Sequence, residues 1–261
     1  MLKFCDWVQP EKLCDAMLSM NPKAVHFLEN NSQRINWQYL SSNPEAMHIV
    51  KKHLHSKRNR ICWFSLSSMP EAISLLEQNL DKVNWSNLSK NPSAIHLLEA
   101  NPIKIYWSSL CENPAAIEML KARPPWINWT ALSRNPAAIK LLAANPDKIH
   151  WSNLSANPAA IHMLEANPER IDWFTLSLNP AAIHLLEKNL ERVNWFALSK
   201  NPAARDILLQ NPEKIDWYFM SANPCIFEYD YKAMSRPFVE ELMANRFHPK
   251  NMDKFEDWNH D

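Results

Sequence analysis

Tryptophan recurs every 22 residues through most of this chain, at Trp63, Trp85, Trp107, Trp129, Trp151, Trp173, Trp195 and Trp217. A period this strict restricts the fold to a stacked array. Ordering 22 residues costs roughly 30 kcal/mol at ~1.5 kcal/mol each, more than one small apolar face recovers. Repeats of this size therefore fold by burying their faces against one another. Trp37 precedes Trp63 by 26 positions, so that repeat carries a four-residue insertion. One repeat further back, Leu18, Ser19, Asn21 and Pro22 keep the pattern, although Asp15 stands where the others have Trp.

With Trp as position 0, a Leu follows at +3 and Asn-Pro at +6 and +7, as in Asn91-Pro92 and Asn157-Pro158. An apolar stretch comes next, for example Ala160, Ile161, Met163 and Leu164. Many repeats carry a second Asn-Pro at +16 and +17, as in Asn145-Pro146. Proline suits the first helical position, where its missing N–H was unpaired anyway. The residue before it is pushed out of helical geometry, and Asn is a strong N-cap. Thirteen of the 19 prolines follow Asn, which makes most of them helix starts. The same pairs end the preceding element, so the chain manages with no glycine. Positions +9, +10, +12 and +13 fall within an arc of roughly 160° at 3.6 residues per turn, one buried face of a helix. Asn or Asp at −1 (Asn36, Asn84, Asn128, Asp172, Asn194, Asp216) caps a second, very short helix on which Trp and the +3 Leu share the inner face.

The expected fold is all-α, an α-solenoid of 22-residue repeats with one α-helix and one short 3₁₀-like helix each. It is expected to form a single superhelix with no β-sheet. Residues 1–14 are expected to cap its N-terminus, residues 15–224 to form the solenoid, and residues 225–261, where the code dissolves, to form a divergent helical cap. Pro237 and Pro249 mark the expected starts of two helices in that cap. The Trp column is expected to be core.

The repeats WSNLSANPAAIHMLEANPERID and WFALSKNPAARDILLQNPEKID resemble the short Trp/Asn-Pro 22-residue repeat proteins of large nucleocytoplasmic DNA viruses of algae and amoebae. The tail segments FEYDYKAM and HPKNMDKFEDW resemble the ends of such proteins. The likeness covers most of residues 15–224 and implies a viral origin, with no activity attached. The alternation of helix types is similar to leucine-rich-variant solenoids in architecture alone.

Lys+Arg and Asp+Glu both number 28. A protein that holds phosphates by bulk charge carries a basic excess, so this balance argues against a nucleic-acid partner. No run approaches the ~18 apolar residues of a membrane span. The start, MLKFCDWVQPEKLCD, has Pro and acids where a signal peptide needs an apolar stretch. Five cysteines without CxxC spacing fit reduced thiols in an intracellular setting, the host cytoplasm or nucleus, or a virion.

No P-loop, GxSxG or HExxH pattern is present, and a chain without glycine has no Gly-rich phosphate loop. The recurring Ser at +4 belongs to the repeat code, so no enzyme and no cofactor are expected. Histidine stands at +11 in five repeats (His26, His48, His96, His162, His184), a column facing solvent that supplies one ligand per repeat and no convergent metal site. Cations recur at +19 with acids before them, as in Asp147-Lys148, Glu169-Arg170, Glu191-Arg192 and Glu213-Lys214, which reads as a neutralised solvated edge.

Two candidate partner sites remain. One is the basic insertion, with Lys51, Lys52, Lys57, Arg58 and Arg60, able to meet phosphate, an acidic partner or an import receptor, or to be a solvated loop. The other is position +1, small and polar in the middle repeats (Ser86, Ser108, Thr130, Ser152) but Phe174, Phe196 and Tyr218 in the last three. Either these three form an exposed apolar strip, or the C-terminal segment folds back over them. The expected function is a noncatalytic scaffold for protein–protein interaction. A structural component of a virus particle and a nucleic-acid-binding solenoid are the alternatives.

Overall fold

The computed structural model describes residues 2–54, 56 and 61–231. Among these, Gln9–Cys225 forms one compact body, and residues 2–8 with 226–231 belong to a second. The expected helices at Pro237 and Pro249 lie outside the described residues.

The first body is an all-α array whose ten repeats are numbered here from the one at Asp15 to the one at Trp217. In repeat 7, Trp151–Ser155 is a single α-turn. Pro158–Ala160 is a 3₁₀ turn that runs directly into the α-helix Ile161–Glu165. Pro168–Arg170 is a second 3₁₀ turn. The Trp segment is thus α-helical, and the 3₁₀ geometry sits at the prolines. Among the described residues no backbone takes a positive φ, which is how an array without glycine is possible.

The two Asn-Pro pairs do different work. The +6 Asn is the expected N-cap: Asn157 Oδ1 accepts the Ala159 N–H at 3.0 Å. The +16 Asn caps no following helix and ends the preceding one, as Asn167 Nδ2 donates to the Met163 carbonyl at 2.9 Å. The caps at −1 form as expected, with Asp172 Oδ1 accepting the Thr175 N–H at 2.8 Å.

The core is narrower than the helical arc implied. Leu154 at +3, Ala160 at +9 and Leu164 at +13 are fully buried, as are their counterparts in most repeats. Ile161 at +10 and Met163 at +12 are only half-buried. Ser at +4 and Asn at +6 are polar yet fully buried, and their bonds hold neighbouring repeats together. Asn113 Nδ2 donates to the Ser89 and Asn91 carbonyls of the previous repeat at 3.1 and 2.9 Å. Ser19 Oγ donates to the Asp15 carbonyl and accepts the Asn36 N–H of the next repeat, both at 2.9 Å. Every polar atom of the Asn amide is thereby satisfied away from water, as burial requires. An Ala at +9 fits because turns held this close leave room for a methyl and little more.

The Trp column is not core. All of Trp37 to Trp217 are half-buried, and six of the rings, Trp63, Trp85, Trp129, Trp151, Trp173 and Trp195, are covered by the cation at +19. Lys148 lies over Trp129 at 4.7 Å, Arg170 over Trp151 at 5.1 Å and Lys214 over Trp195 at 4.4 Å. The edge expected to be neutralised by acids is therefore built mainly from cation–π contacts. In repeat 1, where Asp15 replaces the ring, Arg34 forms an ion pair with it at 2.6 Å. Trp151→Ala is accordingly expected to cost only about 1–2 kcal/mol, from part of a ring's burial and one cation–π contact. Leu154→Ala is expected to cost about 2–5 kcal/mol because it opens a cavity in a closed core. Urea unfolding of the two variants checks the order; a larger loss for Trp151 would return the ring to the core.

The array closes on itself. Asn21 of repeat 1 donates to the Ser221 and Asn223 carbonyls of repeat 10 at 3.1 and 2.9 Å, the lengths found inside the array. The Cys14 N–H bonds Ser221 Oγ at 2.8 Å, as the Asn36 N–H bonds Ser19. Lys12 lies over Trp217 at 5.7 Å, the contact a +19 residue makes elsewhere. Residues 9–14, expected as part of a cap, instead supply the second half of repeat 10: Gln9-Pro10-Glu11-Lys12-Leu13-Cys14 stands where Asn211-Pro212-Glu213-Lys214-Ile215-Asp216 stands one repeat earlier. One internal joint lacks the staple. Met69 is buried at the +6 position of repeat 3, and its side chain has no N–H to offer the Ser41 and Asn43 carbonyls.

The second body contains a short sheet where none was expected. Strand β1 (Leu2–Phe4) pairs antiparallel with β2 (Phe227–Tyr229), Phe4 opposite Phe227 and Leu2 opposite Tyr229. The Phe4 and Phe227 rings stack at 4.6 Å. Lys3 meets Glu228 across the strands at 3.0 Å, and this carboxylate, with Asp6, raises the Lys3 ammonium pKa above its ordinary value.

Candidate partner surface

The +1 side chains project from the short Trp helices, whose inner positions are taken by Leu at +3 and Ser at +4. Phe174, Phe196 and Tyr218 are 51%, 47% and 45% exposed. Phe219 at +2 of repeat 10 joins them, its ring 4.0 Å from Phe196 and 5.0 Å from Tyr218. Closure carries the row past repeat 1. The Tyr39 phenol of repeat 2 lies beside that of Tyr218 and, with burial and Cys14 as lesser causes, raises the Tyr218 pKa above its ordinary value. Phe64 at +1 of repeat 3 is exposed as well. The aromatic arc thus spans repeats 8 to 3 across the point where the array closes.

The other arc, repeats 4 to 7, is polar and internally bonded. Ser86 Oγ and Ser109 Oγ lie 3.0 Å apart, and Asn128 Nδ2 donates to Ser108 Oγ at 3.0 Å. Asn153 Nδ2 donates to the Thr130 carbonyl at 2.7 Å. These side chains spend their hydrogen-bonding capacity on neighbouring repeats. The Phe174, Phe196 and Phe219 rings have no hydrogen-bonding capacity to spend, and the Tyr218 phenol spends its own on Tyr39.

A second apolar patch departs from the charged edge at repeats 4 and 5. Ile103 occupies +18, where most repeats carry an acid, and is 94% exposed. Trp126 occupies +19 in place of a cation and packs 5.2 Å from Trp107, while Arg123 supplies the cation on that ring. Tyr106 is exposed in the same two repeats. Between these repeats lies a groove of about 280 Å³, lined by Glu99, Pro102, Ile105, Met119 and Arg123 among others. The signal in the sequence was the exception to the repeat code at 103, 123 and 126.

The remaining candidates do not converge with these surfaces into one site. Lys51 and Lys52 are exposed at the end of the helix Met47–Lys52, whereas Lys57, Arg58 and Arg60 lie outside the described residues. Three of the five histidines at +11 meet acids of preceding repeats: His48 meets Glu29, His96 meets Glu77 and His184 meets Glu165, each at 2.8 Å. Among the described residues no His, Cys, Asp or Glu cluster could hold a metal ion, and no helix is long and apolar enough to cross a membrane. Compared with protein-family models, with curated proteins and with solved structures, the chain matches none.

Proposed function

We propose that this chain is a noncatalytic scaffold that binds another protein through its aromatic arc. The observation that carries this reading is the row of half-exposed rings on successive repeats, Phe174, Phe196 and Tyr218 with Phe219. Contiguous exposed apolar surface of this kind marks an interface, and aromatic anchors dominate interface energies. The buried +4 serines support a role without catalysis, because their hydroxyls are engaged in the bonds that join repeats. The likeness to viral repeat proteins makes the partner a host factor or a component of the particle.

The triple change Phe174→Ser, Phe196→Ser, Tyr218→Ser is expected to abolish partner capture and shift the melting temperature by only a few degrees, since exposed positions contribute little to stability. Affinity capture with mass spectrometry and thermal melts measure the two effects. Capture that survives the triple change would refute the assignment. Stoichiometric co-purification with virions would instead make the chain a structural component of the particle.

A further inference from the structure

The joint between residues 217–223 and residues 12–21 uses the same bonds as the internal joints, at the same lengths, but no peptide link crosses it. Its two faces are complementary and unlike. Repeat 10 presents acceptors: the carbonyls of Ser221 and Asn223, and Ser221 Oγ, whose own proton goes to the Trp217 carbonyl. The opposing face presents donors: Asn21 Nδ2, the Cys14 N–H and the Lys12 ammonium over Trp217. Two copies of either face would set donor against donor or acceptor against acceptor.

We propose that this seam is also an intermolecular interface, at which repeat 10 of one chain takes up repeat 1 of a second copy, head to tail. A second copy is the occupant because the seam is a continuation of the repeat–repeat interface. The face of repeat 10 offers two carbonyl acceptors, a buried hydroxyl and a Trp face in the register that Asn21, Cys14 and Lys12 fit. Contacts between unlike faces propagate unless rotation closes them, so the product is open-ended or a larger ring. The joint at Met69 is where the closed form gives way. Repeats 1 and 2 lie between the seam and the one internal joint whose +6 side chain has no donor for the Ser41 and Asn43 carbonyls. That joint keeps one bond, from the Cys62 N–H to Ser41 Oγ at 2.9 Å, where each neighbouring joint has three, so those two repeats turn as a block about it and release the seam. Closure within one chain wins in dilute solution, because the two faces share a high effective concentration. Pairing between chains wins where closure is strained or the chain is concentrated.

The test removes one repeat, residues 151–172, which joins His150 to Trp173 and keeps the code in register. Nine repeats of unchanged curvature leave the seam gapped. Light scattering is expected to give the parent the mass of one chain and the nine-repeat variant a mass of two chains or more, with helical circular dichroism retained. Removing residues 1–14 from that variant and changing Asn21→Ala as well, which takes away every donor of that face, should return it to the mass of one chain. Adding Phe174→Ser, Phe196→Ser, Tyr218→Ser instead should leave it multimeric, which separates seam pairing from association through the aromatic arc. A helical nine-repeat chain of single-chain mass overturns the proposal, and so does a multimer abolished by the triple change. Should the deletion fail to fold, the parent is refolded from denaturant in dilute and in concentrated solution. Multimers formed only in the concentrated sample support the proposal, and a single-chain mass at every concentration overturns it.

Discussion

Asn135→Ala is expected to lower the stability of the array by about 3–5 kcal/mol, as much as a large core truncation. Asn135 is fully buried, and its Nδ2 donates to the Cys111 and Asn113 carbonyls, both at 2.9 Å. Its Oδ1 accepts the Ala137 N–H at 2.9 Å and caps the helix that follows. Alanine leaves the Cys111 carbonyl buried without that donor, a desolvation cost of about 1–3 kcal/mol, and takes one bond worth about 1 kcal/mol from the Asn113 carbonyl, which keeps the Ala116 N–H. The cap adds about 1 kcal/mol. Asn145→Ala is the internal comparison. Asn145 at +16 is half-buried and makes one bond, to the Leu141 carbonyl of its own repeat, so its loss should cost about 1 kcal/mol. Urea unfolding at constant m-value measures both. Equal losses would mean that the buried +6 amide does not staple repeats together.

Removing residues 1–14 is the second large change, and removing residues 1–8 alone is its control. The shorter deletion takes away β1 and its pairing with β2. The longer one also takes Leu13, which is buried, the Cys14 N–H that bonds Ser221, and Lys12 from the face of Trp217. Burial of a leucine is worth about 2 kcal/mol. The bond to a buried hydroxyl and the cation–π contact are worth about 1 kcal/mol each. The longer deletion should therefore be about 4 kcal/mol less stable than the shorter one. Denaturant unfolding of the two gives the difference directly. Indistinguishable midpoints would show that the seam is not closed in solution.

The register of the fold was legible because proline and asparagine leave few local choices. Pro158 suits only the start of a helix, whereas the Asn before it takes its role from context: Asn157 caps the helix that follows, and Asn167 ends the one before. The Trp column was misplaced for a physical reason. On a single α-turn such as Trp151–Ser155, the buried volume is already filled by Leu154, so a ring as large as Trp151 extends to the rim. Its cover, Arg170, was visible as a recurrent +19 cation, but the neighbouring Glu169 made ion pairing the simpler reading. Closure was harder to see. Gln9, Cys14 and Asp15 replace the Asn, Asp and Trp by which the code is recognised, and only Pro10, Glu11 and Lys12 match Pro212, Glu213 and Lys214. The C-terminal part of the aromatic arc could be read from Phe174, Phe196 and Tyr218. Its continuation through Tyr39 could not, because that residue sits at +2, far away in sequence, and meets Tyr218 only when the ends of the array are side by side.

A linear solenoid loses its terminal repeats first, since each has one neighbour and frays at the expense of a single interface. A closed array has no terminal repeat. Detaching any one of the ten means breaking two interfaces at once, while the chain gains the freedom of only that repeat. The early, low-energy openings that expose a solenoid's ends to proteases and to hydrogen exchange are therefore suppressed. What remains is an asymmetry of position. Amide protection should dip on either side of Met69 and at the seam, the two places where an opening can begin, and stay uniform from Asn91 to Asn201, where the amide bonds join each repeat to the one before it.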